Sequence, residues 1–188
     1  LSGGDDADVI KGGSGNDTVD GGYGADIIDA GTGEDVVSGG SGNDRIKSGS
    51  GDDVENAGSG NDSVNASSGD DRVNGGDGKD SIYLGAGNDE AWGGDGADRF
   101  VFRFEDLDGG QDVIHDFSRD SSGKDRLDFR QLDLLAGGLS EDDWVAAYVV
   151  QTAEGDVKLE LDGLELVLVD HKDLGDQYLT EVVDGFVF

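Results

Sequence analysis

A nine-residue phrase, written eleven times in strict register from Gly3 to Val101, constrains this chain more than any other feature. Gly12-Gly13-Ser14-Gly15-Asn16-Asp17-Thr18-Val19-Asp20 is a clean copy, and no insertion or deletion interrupts the series. The sixth position is always Asp: Asp8, Asp17, Asp26, Asp35, Asp44, Asp53, Asp62, Asp71, Asp80, Asp89 and Asp98. The fourth is Gly in all copies but the first, where Asp6 stands. The eighth is apolar at Ile10, Val19, Ile28, Val37, Ile46, Val64, Val73, Ile82, Ala91 and Phe100, with Glu55 the exception. One such phrase cannot bury anything alone, but stacked copies can, because their eighth residues then share a core.

Positions seven to nine alternate polar, apolar, polar, the period of a short strand, and the other six residues are turn formers. Glycine permits positive φ and lets carbonyl oxygens converge with no Cβ in the way. Two phrases make one coil of a flattened right-handed solenoid, so that each repeat lies over the next but one. The expected fold class is all-β: a parallel β-roll over residues 1–101, about 25 Å long at the usual ~4.8 Å strand spacing. Residues 102–188 are expected to form a β-rich C-terminal cap.

The chain carries 44 acidic and 13 basic side chains, a net charge of −31. Repulsion on that scale opposes a compact state unless cations join it, and it excludes nucleic acid as a partner, because phosphate adds to the same sign. Stacking sets each sixth-position Asp above another, with turn carbonyls from Gly13, Gly15, Gly22, Gly24, Gly40, Gly42, Gly58, Gly60, Gly76, Gly78, Gly94 and Gly96 beside the rows. Calcium takes oxygen ligands of this kind, so ions are expected between Asp pairs 18 residues apart. Asp8, Asp26, Asp44, Asp62, Asp80 and Asp98 form one row with five gaps; Asp17, Asp35, Asp53, Asp71 and Asp89 form the other with four. Nine divalent ions would lower −31 to −13, making neutralisation and folding one event.

The two rows differ in quality. Odd repeats keep Gly at position one except for Ala57, whereas even repeats put Ala30, Ser48, Ala66 and Leu84 there, Ser67 at position two and Glu55 in the core. If position one requires positive φ, each such residue costs on the order of 1 kcal/mol. The sites around Asp53 and Asp71 are then expected to be the weakest.

No Cys is present, so disulfides cannot brace the fold, and no apolar run reaches the roughly 18 residues of a membrane span. Leu1 and Ser2 fill the last two places of a repeat whose first seven residues are missing, so the chain reads as a C-terminal piece of a longer one. Catalysis is not expected. Only His115 and His171 occur, with no His-Glu-x-x-His zinc motif and no Cys nucleophile. A calcium-dependent polysaccharide- or surface-binding module is the alternative. It needs basic residues along one face, and Arg45, Arg72 and Arg99 share position seven. They alternate between odd and even repeats, however, and Lys47 and Lys79 add little to a stripe.

Past the repeats, aromatic residues become frequent. Phe100, Phe102 and Phe104 alternate as a strand able to lay three rings over the open end of a solenoid. Gly110, Asp112 and Ile114, then Gly123, Asp125 and Leu127, fit positions four, six and eight of a worn repeat, and equally an ordinary acidic strand, turn and strand. On the first reading Asp112 pairs with Asp89 and Asp125 with Asp98, adding one or two ions. Ser140 to Asp143 read as the capped start of a short helix through Tyr148. Val157 to Leu168 read as a hairpin turning at Asp162-Gly163, and Phe186-Val187-Phe188 closes the chain as an apolar tip.

Taken together, the nonapeptides resemble those of the RTX (repeats-in-toxin) family. Asp112-Val113-Ile114-His115-Asp116-Phe117 and Asp125-Arg126-Leu127-Asp128-Phe129 are similar to the segment that follows such repeats, and Phe186-Val187-Phe188 to the family's apolar terminus. The resemblance implies a β-roll with calcium in both edges, and an uncleaved signal near the C-terminus read by a type I secretion apparatus. It also implies a chain that leaves a calcium-poor cytosol unfolded, together with the upstream domains of its parent protein, and folds in extracellular calcium. Such modules bind calcium at roughly 10⁻⁴ to 10⁻³ M.

Overall fold

The computed structural model describes residues 1–103, 110–118, 124–129, 149–151, 157–161, 164–168 and 186–187. Every element among them is a strand. In chain order these are β1 (Ser2–Gly4), β2 (Val9–Ser14), β3 (Thr18–Tyr23), β4 (Ile27–Thr32), β5 (Val36–Ser41), β6 (Arg45–Ser50), β7 (Val54–Ser59), β8 (Ser63–Ser68), β9 (Arg72–Gly78), β10 (Ser81–Ala86), β11 (Glu90–Gly96) and β12 (Arg99–Val101). Past the repeats come β13 (Gln111–Ile114), β14 (Arg126–Asp128), β15 (Val149–Gln151), β16 (Val157–Leu161), β17 (Leu164–Leu168) and β18 (Phe186–Val187).

From β1 to β14 the odd and even strands separate into two sheets. One runs β1-β3-β5-β7-β9-β11-β13-β17-β16-β15 and the other β18-β14-β12-β10-β8-β6-β4-β2. Within the repeats every pairing is parallel and offset by 18 residues, as in Ile28 on Ile46 and Val19 on Val37. Eighth-position side chains therefore stack in columns inside the roll, where Val19, Ile28, Val37, Ile46, Val64, Val73, Ile82, Ala91 and Phe100 are all buried.

Most repeat strands are six residues long, not the three that the alternation suggested. Each joins positions seven to nine of one repeat to positions one to three of the next. Gly22 on Gly40 and Gly31 on Gly49 stay in ladder register even at φ of +102 to +117. This corrects the expectation for position one. Positive φ belongs to positions two and four, while position one points into the core, where Ala30, Ser48, Ala57, Ala66 and Leu84 are buried. Glycine is common at position one for lack of room. A Cβ on Gly75 would come within 2.6 Å of both the Asp80 carboxylate and the Gly93 carbonyl. Ser67, at position two with φ of 77°, is the one strained non-glycine residue among those described.

The sheets continue past Val101. β13 pairs with β11 and β14 with β12, both parallel, and β17 and β18 extend them. Phe102 stacks on Phe129 with centroids 5.0 Å apart, and Phe100 meets Phe117 at 6.3 Å. With Ile114 and Leu127 these rings close the core. The hairpin expected at Val157 to Leu168 is present as antiparallel β16 and β17, with Leu161 opposite Leu164. Phe104, Gly123, the helix expected at 140–148 and the turn at 162–163 lie outside the described residues.

Candidate metal centre

The turns between the sheets form two edges, and the sixth-position Asp stands on each. Position six shares its parity with position eight, so its side chain turns inward: Asp26, Asp35, Asp44, Asp53, Asp62, Asp71, Asp80, Asp89 and Asp98 are all 3% exposed or less. Asp8 and Asp17, in the first turn of each row, are half-buried. One geometry repeats along both rows. The backbone N–H of each Asp donates to Oδ1 of the Asp one coil on, at 2.7 Å from Asp8 to Asp26 and from Asp35 to Asp53, and at 2.9 Å from Asp80 to Asp98.

That bond occupies Oδ1 and leaves Oδ2. At Asp17, Asp26, Asp35, Asp44, Asp53, Asp62, Asp71, Asp80 and Asp98 this second oxygen is buried with no hydrogen bond. Burial raises the carboxyl pKa of Asp44, Asp53, Asp62 and Asp98, with the N–H bond from the previous coil opposing it. Asp80 is pushed up to about 6 and Asp71 to about 8, by burial first and then by the carboxylates above and below. A ladder of buried, aligned like charges disfavours ionisation unless a cation lies between the rungs.

The turns are shaped for backbone oxygens as well. All twelve glycines expected at the sites have positive φ, from +93° at Gly94 to +156° at Gly96. Successive coils approach so closely that a Cβ on Gly42 would run into the Gly24 carbonyl, on Gly60 into that of Gly42, and on Gly78 into that of Gly60. Among the described residues no group of three or more His, Cys, Asp or Glu side chains converges. The donor set is therefore paired carboxylates with carbonyl oxygens, all hard and none nitrogen or sulfur, which fits calcium and does not fit zinc.

Past the repeats, Asp112 and Asp125 take the places that the worn rhythm gave them. Asp89 N–H donates to Asp112 Oδ1 at 3.2 Å and Asp98 N–H to Asp125 Oδ1 at 2.9 Å, across 23 and 27 residues. Asp125 differs from the rows in that its Oδ2 accepts the Ser118 N–H at 2.7 Å. Its carboxyl is pushed up to about 7, by burial first.

Three features escaped the sequence reading. Asp116 accepts the N–H groups of Gly93 and Gly94 at 2.8 and 2.9 Å, clamping the last glycine pair. Position five carries a second ladder of opposite sense, in which Asn61 N–H donates to Asn43 Oδ1 at 2.7 Å and Lys79 N–H to Asn61 Oδ1 at 3.0 Å. Frequent Asn and Asp at that position were its signal. Finally, Ser48 at position one joins Glu55, which the repeat already placed in the core; the Ser48 hydroxyl donates to the Ala66 carbonyl at 2.9 Å, and both Glu55 oxygens lack a hydrogen bond.

The family model for the RTX calcium-binding nonapeptide repeat (4 copies) matches residues 2–37, 20–55, 29–64, 56–91 and 74–102. No curated protein matches the chain. Among solved structures, the AlgE6R3 subunit of the Azotobacter vinelandii mannuronan C5-epimerase is similar at 28% identity and a TM-score of 0.48, covering 73% of this chain and 78% of that one. The extracellular lipase LipA from Serratia marcescens is similar at 19% identity and a TM-score of 0.43 over 97% of this chain, which spans 38% of the lipase.

Proposed function

Because the chain belongs to the family of RTX calcium-binding nonapeptide repeats, we propose that it is a non-catalytic, calcium-triggered folding module of a larger secreted protein exported by a type I apparatus. The observation that carries this reading is the row of buried Oδ2 atoms with no hydrogen bond, repeated at 18-residue intervals on both edges. Asp8 to Asp98 and Asp17 to Asp89 would hold about nine ions with the turn carbonyls beside them. Asp112 and Asp125 extend the rows and would add one or two. Each bound calcium supplies two positive charges between paired carboxylates.

In calcium-poor cytosol the carboxylates repel one another and the chain stays open, the state a narrow export channel needs. Outside, stacking proceeds from the C-terminal end, where Phe100, Phe102, Phe117 and Phe129 supply apolar contacts that the glycine-rich coils lack. The test is circular dichroism with native mass spectrometry, in millimolar calcium and in excess chelator. A β signal that appears with about nine or more bound ions supports the reading, whereas equal order in chelator defeats it. Export is tested separately, by supplying a type I exporter to chains with and without the region after Val101; efficient export of the shortened chain would remove the secretion role.

A second reading, that one face of the roll also holds a polysaccharide, is favoured by a cationic groove on the outside of the eight-stranded sheet.

A further inference from the structure

On the outer face of the eight-stranded sheet, positions seven and nine form two columns. Position seven runs Val9, Ile27, Arg45, Ser63, Ser81, Arg99, and position nine runs Lys11, Asp29, Lys47, Asn65, Tyr83, Val101. The small residues in the middle leave a groove of about 250 Å³ with Arg45 and Lys47 at one end and Arg99 and Arg103 at the other. Arg72, the even-repeat member of the position-seven arginines, lies on the opposite sheet in β9 and takes no part. Lys47 and Arg103 supply what Arg45 and Arg99 alone do not, so that four cations gather on one face of a chain with net charge −31.

These side chains are not consumed by the fold to the same degree. The Arg103 guanidinium lies 3.8 Å from the Tyr83 ring centroid, which fixes it on the groove wall. Arg99 donates to the Ser81 hydroxyl at 2.9 Å and stands 3.6 Å from Asp128. Arg45 and Lys47 are exposed, and no ion pair or hydrogen bond holds their side chains among the described residues. From Arg45 to Arg99 is three strand spacings, about 14 Å.

We propose that this groove binds a linear acidic glycan, with Arg45 and Lys47 taking one anionic group, Arg99 and Arg103 another, and Ser63 and Asn65 the hydroxyls between. Three features select this ligand. The strands here are interior to the sheet, so no backbone edge is open to an added peptide strand. The cation pairs stand well apart with neutral hydrogen-bonding groups between them, which matches charges separated by sugar rings. Nucleic acid, with one charge per ~1.7 Å of duplex axis, would press dense phosphate against the acidic edges on both sides of the groove.

The proposal rests on the reading of the roll as calcium-ordered. The groove is assembled from four successive strands, β6, β8, β10 and β12, and its cations come from residues spread over 45–103. Unstacked, they do not form a site. Glycan and calcium are therefore coupled, and each must tighten the other by the same factor.

The full chain is titrated with oligogalacturonate, dextran sulfate, neutral dextran and a short single-stranded DNA, in calcium and in chelator, following binding by calorimetry and folding by circular dichroism. The acidic glycans are expected to bind in calcium only, and their ranking identifies carboxylate or sulfate as the recognised group. Arg45→Gln with Lys47→Gln should weaken binding about tenfold or more, while the calcium-induced β signal remains. A bound glycan should also lower the calcium midpoint. Neutral dextran binding as well as the acidic chains, DNA binding more tightly than either, or an unweakened double variant would overturn the assignment. If instead the roll is ordered in chelator and still binds the glycan there, the groove stands and the calcium reading falls.

Discussion

Replacing Glu55 by Val should stabilise the roll, and more at pH 8 than at pH 5. Glu55 occupies an eighth position on β7, with Val37 one coil before it and Val73 one coil after. It is 2% exposed, and its carboxyl is pushed from an ordinary 4.5 up to about 8. Burial is the main cause; the nearby Ser48 hydroxyl opposes it, and the charges of Asp71, Asp53 and Asp89 add to it. The unfolded chain therefore releases this proton near 4.5, whereas the folded chain holds it to about 8. Below pH 4.5 the group is neutral in both states and the shift costs nothing. As pH rises from 4.5 to 8 the penalty grows, and above 8 it is constant. From pH 5 to pH 8 the shift amounts to about 3 kcal/mol, at 1.36 kcal/mol per pKa unit. Urea unfolding of wild type and Glu55→Val in saturating calcium measures it. The stability difference between them should widen by that order across the interval, on top of a pH-independent gain from removing a buried polar group. A constant difference at pH 5 and pH 8 would show that the carboxyl does not sit neutral in the core.

Burial and like charge raise the carboxyls of the neighbouring edge as well. Asp71 is pushed up to about 8, so at pH 7 it retains a proton that a bound ion would have to displace; Asp53→Ala should raise the calcium midpoint less than Asp44→Ala at pH 7, and a larger effect from Asp53→Ala would contradict this. Ser67 holds φ of 77° where all the other repeats have Gly. Ser67→Gly should stabilise by about 1 kcal/mol, read as a higher urea midpoint; no change would mean that the Ser67 hydroxyl's 3.0 Å bond to Asn65 offsets the strain. A chain ending at Val101 loses Ile114, Phe117, Leu127 and Phe129 from the core. It should show little calcium-induced β signal, and a full transition would remove the C-terminal region from the folding role.

The period of the repeats made the architecture legible, because an 18-residue coil fixes at once which residues stack and which point inward. For Asp112 and Asp125 the same count offered the right places but left an ordinary strand and turn equally open, because their spacings of 23 and 27 residues from Asp89 and Asp98 break it. Two things were not legible. Inward and outward positions alternate along a strand whatever the residue type, so glycine at position one looked like a demand for positive φ. The backbone shows a shortage of space beside the Asp carboxylate instead. The groove was hidden because like residues at position seven fall on different sheets. Only the stacking reveals that Lys47 and Arg103, from other positions, join Arg45 and Arg99.

Why the rows should demand a cation follows from how the coils are fastened. Each turn is stitched to its neighbours by backbone N–H groups that point along the stack, one received by the Asp at position six and another by the side chain at position five. A carboxylate has two oxygens, and one N–H satisfies one of them. The second is left facing the interior at Asp17, Asp35, Asp53 and Asp71 on one edge and from Asp26 through Asp98 on the other, so adding repeats adds buried, uncompensated carboxyl groups in proportion to length. The apolar core grows by a similar increment with each coil, so lengthening the roll does not improve its balance against the carboxylates. At the end of the odd row the arrangement changes. Asp125 receives a second N–H from Ser118, a protein donor in the place where the repeats leave an oxygen open. The roll can therefore close its last turn without an ion at that oxygen, whereas the internal turns of the repeats leave theirs without a donor.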